Sequence, residues 1–168
     1  AAAPQAFQIR PIEAYDVSKL PDDHYGRMVK YGKELTDRTY AYIGPEVKNS
    51  KMRFAGNNLA CASCHQASAT KKFAMPWVGV HSTFPQYRAR EDELSTVEER
   101  INGCMERSMA GKKIPIDSRE MKAFLAYIHF LSKDVPTGGR VEGQGLPPFK
   151  APNRRADLVA GEKVYGEK

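Results

Sequence analysis

Cys61-Ala62-Ser63-Cys64-His65 concentrates more chemistry in five residues than any other segment of this chain. Two thiols two residues apart, followed at once by an imidazole, match the attachment sequence of c-type haem. In that sequence both sulfurs form thioethers with one porphyrin edge and the histidine reaches the iron axially. A Cys-x-x-Cys pair also serves as a redox dithiol or as half of a zinc site. Zinc needs further ligands, and Cys104 with His24, His81 and His129 offers them only at irregular spacing. The motif therefore reads as one covalent haem c, anchored by Cys61 and Cys64, with His65 as an iron ligand.

A second reactive group lies downstream. Arg100, Cys104 and Ser108 recur at steps of four, so on a helix they stack on one face. A guanidinium beside a thiol favours thiolate, which is both an iron ligand and a nucleophile, and its planar N–H fork suits a tetrahedral oxyanion. Arginine and serine are ordinary on a solvated helix face; a free cysteine is not. Once haem takes Cys61 and Cys64, Cys104 has no disulfide partner within the chain. The second axial position of the iron has Met75, His81, Cys104, Met105 and Met109 as candidates, or stays open. Methionine is the ordinary electron carrier's choice, and Met75 precedes Pro76 and Trp77 in a segment that reads as a loop over the haem.

The elements that must position these groups read as mainly α. From Asp23, apolar and small residues at Tyr25, Met28, Gly32, Leu35, Thr39 and Tyr42 follow helical steps and predict a helix ending at Gly44-Pro45. Gly32 in its middle is costly for a helix and marks a close crossing by another. The haem motif follows in a short helix or turn. A second helix is expected from Ser95 or Thr96, where two overlapping capping boxes occur, to about Gly111. A third starts at an Asp117/Glu120 box and carries Met121, Phe124, Leu125, Ile128 and Leu131 as a large apolar stripe, the expected partner of Gly32. These helices resemble the class I cytochrome c frame, in which the first and last helices cross at such a glycine.

The 168 residues exceed the roughly 80 to 110 that a c-type haem fold requires. Residues 1–22 read as an N-terminal extension, an aperiodic arm on the surface, and 23–134 as the haem domain. Residues 135–153 form a linker, since Lys133 to Pro152 holds four Pro and four Gly. Residues 154–168 start a new apolar pattern, Asp157 to Tyr165, that resembles the first helix of another cytochrome c domain. No apolar run is long enough for a membrane span, and Ala1-Ala2-Ala3-Pro4 reads as the start of a mature exported chain, which with covalent haem points to the periplasm. The net charge of +6 favours anionic partners. No basic and aromatic run resembles a nucleic-acid groove, so a small inorganic anion or an acidic redox partner fits better. His24 and His129 read as surface or satisfied imidazoles, and Lys71 and Lys72 as either an anion entrance or a solvated face.

The run Arg100-Ile101-Asn102-Gly103-Cys104-Met105-Glu106-Arg107-Ser108-Met109-Ala110-Gly111 resembles the distal-cysteine segment of the tetrathionate-forming thiosulfate dehydrogenases. Cys61 to His65, Thr70 to Ala74, Phe84 to Arg90 and Ser118 to Phe124 are also similar to that family. Together they cover Asp23 to Ser132, and the tail resembles the start of the family's second haem domain. More distantly, the chain resembles the cysteine-ligated cytochrome subunit that attaches thiosulfate to a carrier protein in sulfur oxidation.

The resemblance implies that Cys104 is both iron ligand and substrate-reactive sulfur. It implies that Arg90 and Arg100 bind the anion and that Ser108 is a polar neighbour in the same pocket. The implied reaction joins two thiosulfates into tetrathionate. Its two electrons pass to a second haem domain of the parent chain, or to an external acceptor such as a periplasmic cytochrome. The family's second haem motif is absent from this chain. Two other readings stand beside this one: a monohaem periplasmic electron-transfer cytochrome with methionine at iron, and a thiosulfate-transferring sulfur-oxidation cytochrome.

Overall fold

The computed structural model describes Gln8 and residues 12–167. Its helices are α1 (His24–Asp37), α2 (Thr39–Ile43), α3 (Cys61–Cys64), α4 (Gln66–Ala69), α5 (Val97–Glu106), α6 (Arg119–Ser132) and α7 (Leu158–Gly166). A small antiparallel hairpin, β1 (Gln86–Arg88) with β2 (Glu93–Ser95), precedes α5 and pairs Tyr87 with Leu94.

The crossing of α1 and α6 organises the core. A side chain at Gly32 would collide with the Ala123 carbonyl oxygen and come within 2.7 Å of Tyr127 Cβ, so only glycine permits this approach. The residues met there, Ala123 and Tyr127, flank the stripe expected from periodicity. That stripe is nonetheless inside: Met121, Phe124, Ile128 and Leu131 are all buried. Met121 and Phe124 join Leu35, Ile43, Phe54, Met105, Met109 and Ile114 on one side, and Leu131 joins Val29, Val78, Tyr127 and Phe130 on the other. Trp77 packs against both groups, edge-on to Phe124 and Tyr127.

Element boundaries differ from expectation in instructive ways. The first helix starts as expected, with Asp23 accepting the Gly26 amide at 2.7 Å, but it breaks at Arg38 before resuming as α2. Just past the break, the Thr39 hydroxyl donates back to the Leu35 carbonyl of α1 and accepts from the Cys61 amide. The second helix starts at Thr96, whose box with Glu99 is reciprocal, and ends at Glu106 rather than at Gly111. There the Met109 amide turns back to the Cys104 carbonyl and the Gly111 amide to that of Met105, closing the helix end. The third is capped by Ser118, which accepts from Met121, and not by Asp117.

The segment after the motif is a tight turn in which Ala67, Ser68 and Ala69 all have left-handed φ, 53°, 51° and 63°. Such residues cost about 1–2 kcal/mol each and persist only where the surroundings impose them. Here Ser68 donates to Asp37 at the end of α1, and Tyr127 of α6 donates to the Ser68 carbonyl at 2.7 Å.

Much of the N-terminal arm, residues 1–7 and 9–11, lies outside the described residues. From Ile12 the chain forms two short 3-10 helices and buries Tyr15 against Val29 and Val78, so this part is packed rather than a loose extended arm. The first half of the proline- and glycine-rich stretch is packed too, with Val141 buried. Beyond it the chain is exposed, and α7 holds Leu158, Val159, Val164 and Tyr165 in solvent. Among the described residues no helix is long and apolar enough to cross a membrane.

Candidate functional site

Cys61 opens α3 with its amide donated to Thr39 Oγ1 at 3.0 Å, and that hydroxyl in turn donates to the Leu35 carbonyl. The break at Arg38 thus pins the first cysteine of the motif to the end of α1. Burial pushes the Cys61 thiol up to about 11, against the lowering effect of Thr39, and the charge of a Cys104 thiolate raises it further. A site that penalises thiolate suits a neutral thioether. Cys64 is exposed, and neither sulfur is in a disulfide.

His65 is held on its far side. Its Nδ1 lies 2.6 Å from the Met75 carbonyl oxygen and its ring 5.2 Å from that of Trp77. Burial holds the imidazole below its ordinary pKa, the Met75 bond opposes this, and the Arg100 guanidinium adds to it. A neutral imidazole facing a carbonyl carries its proton on Nδ1, which leaves the Nε2 lone pair for a metal. Two unpaired thiols and a histidine of fixed tautomer fit a covalently attached haem.

Arg100 and Cys104 face this motif. Arg100 Nη1 donates to Cys104 Sγ at 2.9 Å, one turn apart on α5, while the electrostatic effects of the two reach His65 and Cys61 respectively. Cys104 lies in the last turn of α5, where the helix end disfavours negative charge; Arg100 supplies the compensating cation.

The other candidates for the second axial position lie in different settings. Met75 has a left-handed φ of 51° and turns its carbonyl to His65, which places it on the histidine side. Met105 and Met109 are buried in the core. His81 packs edge-on against His129, which is bonded to Tyr25.

Arg90 and Ser108 are not drawn into this group. Arg90 is exposed in the turn between β1 and β2 and makes no hydrogen bond or ion pair among the described residues. Its neighbour Glu91 ties the hairpin to α5, bonding Arg88 Nε at 3.2 Å and Arg107 Nη2 at 3.5 Å. Ser108 lies past the end of α5, exposed, so it does not stack above Cys104 as a continuous helix would place it; its backbone carbonyl accepts from Asn57. Thr39, Trp77 and Glu91 escaped the sequence reading. Each acts through a long-range or turn contact that no local spacing encodes.

A mainly helical frame with crossed α1 and α6 and a Cys-x-x-Cys-His motif, Cys61 and His65 half-buried and Cys64 exposed, is that of a c-type cytochrome domain. Residues 51–137 match the family described as SoxA/TsdA, cytochrome c domain. The chain belongs to that family. It is 36% identical to the thiosulfate dehydrogenase of Psychrobacter arcticus over 157 residues, covering 94% of this chain and 45% of that protein. It is 38% identical to the thiosulfate dehydrogenase of Allochromatium vinosum over 150 residues, covering 87% of this chain and 52% of that protein. The chain thus spans about half the length of the curated relatives it matches. Among solved structures it is similar to the thiosulfate dehydrogenase TsdBA from Marichromatium purpuratum in its as-isolated form. That match has a TM-score of 0.75 at 27% identity and covers 89% of this chain and 32% of that one.

Proposed function

We propose that this chain is the haem domain of a periplasmic thiosulfate dehydrogenase that joins two thiosulfates into tetrathionate at Cys104. The observation that carries the reading is the Arg100–Cys104 pair, a free thiol held 2.9 Å from a guanidinium, with charges that act on Cys61 and His65 of the motif. The names of the relatives in two genera support the substrate.

Cys61 and Cys64 would hold one haem c in this chain, and His65 and Cys104 would bind its iron. When bound, the group would supply an iron that accepts electrons singly. Arg100 holds the sulfonate of a thiosulfate; the family resemblance adds Arg90 and Ser108 as further polar contacts to that anion, although both stand apart from the Arg100–Cys104 pair in this structure. The sulfane sulfur and Cys104 Sγ then form an S–S bond with loss of two electrons, leaving a thiosulfonate on the cysteine. A second thiosulfate attacks that sulfane sulfur; tetrathionate departs, and Cys104 leaves as a thiolate beside Arg100.

An iron held there would take one electron at a time, so the second would need a second haem domain or an external acceptor such as a periplasmic cytochrome. The exposed apolar α7 after the linker supports its reading, within residues 154–168, as the start of that second domain.

Replacing Cys104 with Ala in the holoprotein should leave haem attached and abolish tetrathionate formation from thiosulfate and ferricyanide. Near-normal turnover would overturn the reading. Near-infrared magnetic circular dichroism of the oxidised protein separates thiolate from methionine ligation, and tetrathionate formed without a carrier protein separates dehydrogenation from sulfur transfer.

A further inference from the structure

We propose that Val141–Gly145 is a strap that positions His65 through the loop Phe73–Met75. This inference rests on the reading of His65 as an iron ligand. The His65 Nδ1–H is donated to the Met75 carbonyl, and the backbone leading to that carbonyl is held from the other side through its amides. The Met75 amide donates to the Gly145 carbonyl at 3.1 Å, and the Phe73 amide to the Gly143 carbonyl at 2.7 Å. Phe73 and Met75 both have left-handed φ, 60° and 51°, a conformation that side-chain-bearing residues keep only under external constraint. The strap supplies the constraint.

The strap is itself anchored. Val141 is 6% exposed, packed with Tyr15, Val29 and Val78. Glu142 pairs with Lys72 at 3.6 Å, and the same Lys72 ammonium bonds Gln8 at 3.1 Å. Gly143 has φ of +79°, and a Cβ there would press to 2.9 Å on Lys72 Cβ, so this position tolerates a side chain badly.

The chemical consequence is direct. A ligating histidine whose outer N–H is given to a well-placed acceptor is a more basic ligand, which favours the oxidised metal. If the Met75 carbonyl drifts, that donation weakens and the reduction potential rises. A segment that the sequence presents as linker is thereby a positioning element for the iron site.

The test uses the full holoprotein. Gly143→Val and Val141→Ala should make the Phe73 and Met75 amides exchange at least about tenfold faster and raise the haem midpoint potential, with haem still covalent and ligand bands unchanged. Ile114→Val, a core change away from the strap, should do neither. Unchanged amide protection in Val141→Ala would overturn the strap, and an unchanged potential despite lost protection would overturn its effect on His65. If Gly143→Val fails to fold, Val141→Ala decides. Absence of histidine ligation in the spectrum of the unaltered protein would instead sink the underlying reading of His65.

Discussion

Arg100 and Cys104 stand one turn apart on α5 with Nη1 and Sγ 2.9 Å from each other, the cysteine in the last turn of a helix whose end repels negative charge. The arginine therefore offsets an unfavourable placement of the sulfur, in addition to offering a fork to an anion.

Arg100→Ala should lower kcat/KM for thiosulfate by about 10- to 100-fold, the range of one charge-assisted hydrogen bond. Arg100→Lys should fall between, keeping the charge and losing the fork. Steady-state ferricyanide reduction measures both; an unchanged kcat/KM in the alanine variant would remove Arg100 from the site.

Gly32→Ala places a methyl group against the Ala123 carbonyl, where backbone must move. Overpacking of this kind costs about 1–3 kcal/mol, and a backbone obstacle puts it at the upper end. Denaturant unfolding of the holoprotein gives the value.

Tyr127→Phe removes the hydroxyl that satisfies the Ser68 carbonyl in a turn of three left-handed residues. The loss should be about 1–3 kcal/mol, with faster amide exchange at Ala69. A variant as stable as the parent would show that the turn needs no such support.

Tyr165→Glu should change the stability of the haem domain by less than about 0.5 kcal/mol, because α7 buries no side chain. Thermal unfolding monitored at the haem would report this, and a large shift would mean that α7 docks on the domain.

Glu91 is held below the ordinary carboxylate value. Desolvation acts against this, but the Arg88 and Arg107 guanidiniums outweigh it. A depressed carboxyl contributes fully above its unfolded value of 4.5 and loses that contribution as pH falls through the lower folded value. Amide exchange in Glu93–Ser95 should therefore accelerate on acidification below pH 4.5, and Glu91→Gln should show no such step.

What was readable in the sequence was what local spacing encodes. The glycine at 32 announced a crossing, the Thr96 box announced a helix start, and Cys61 to His65 announced a covalent cofactor. The ends of helices were less legible. Nothing near Ser108 announces that the amides of Met109 and Gly111 turn back to close α5, so a step of four from Cys104 looked like a shared face. Likewise Met75, an attractive iron ligand by type, offers its backbone carbonyl to His65 instead, a choice set by two left-handed residues and by a segment about seventy positions away.

Tyr127 meets Gly32 with its Cβ, Ser68 with its hydroxyl and Trp77 with its ring. Three otherwise unrelated stretches of chain therefore answer to one side chain. A larger residue at 32 would have to push the α6 backbone away at Ala123 and Tyr127, and with it would go the hydroxyl that holds the turn behind the haem motif.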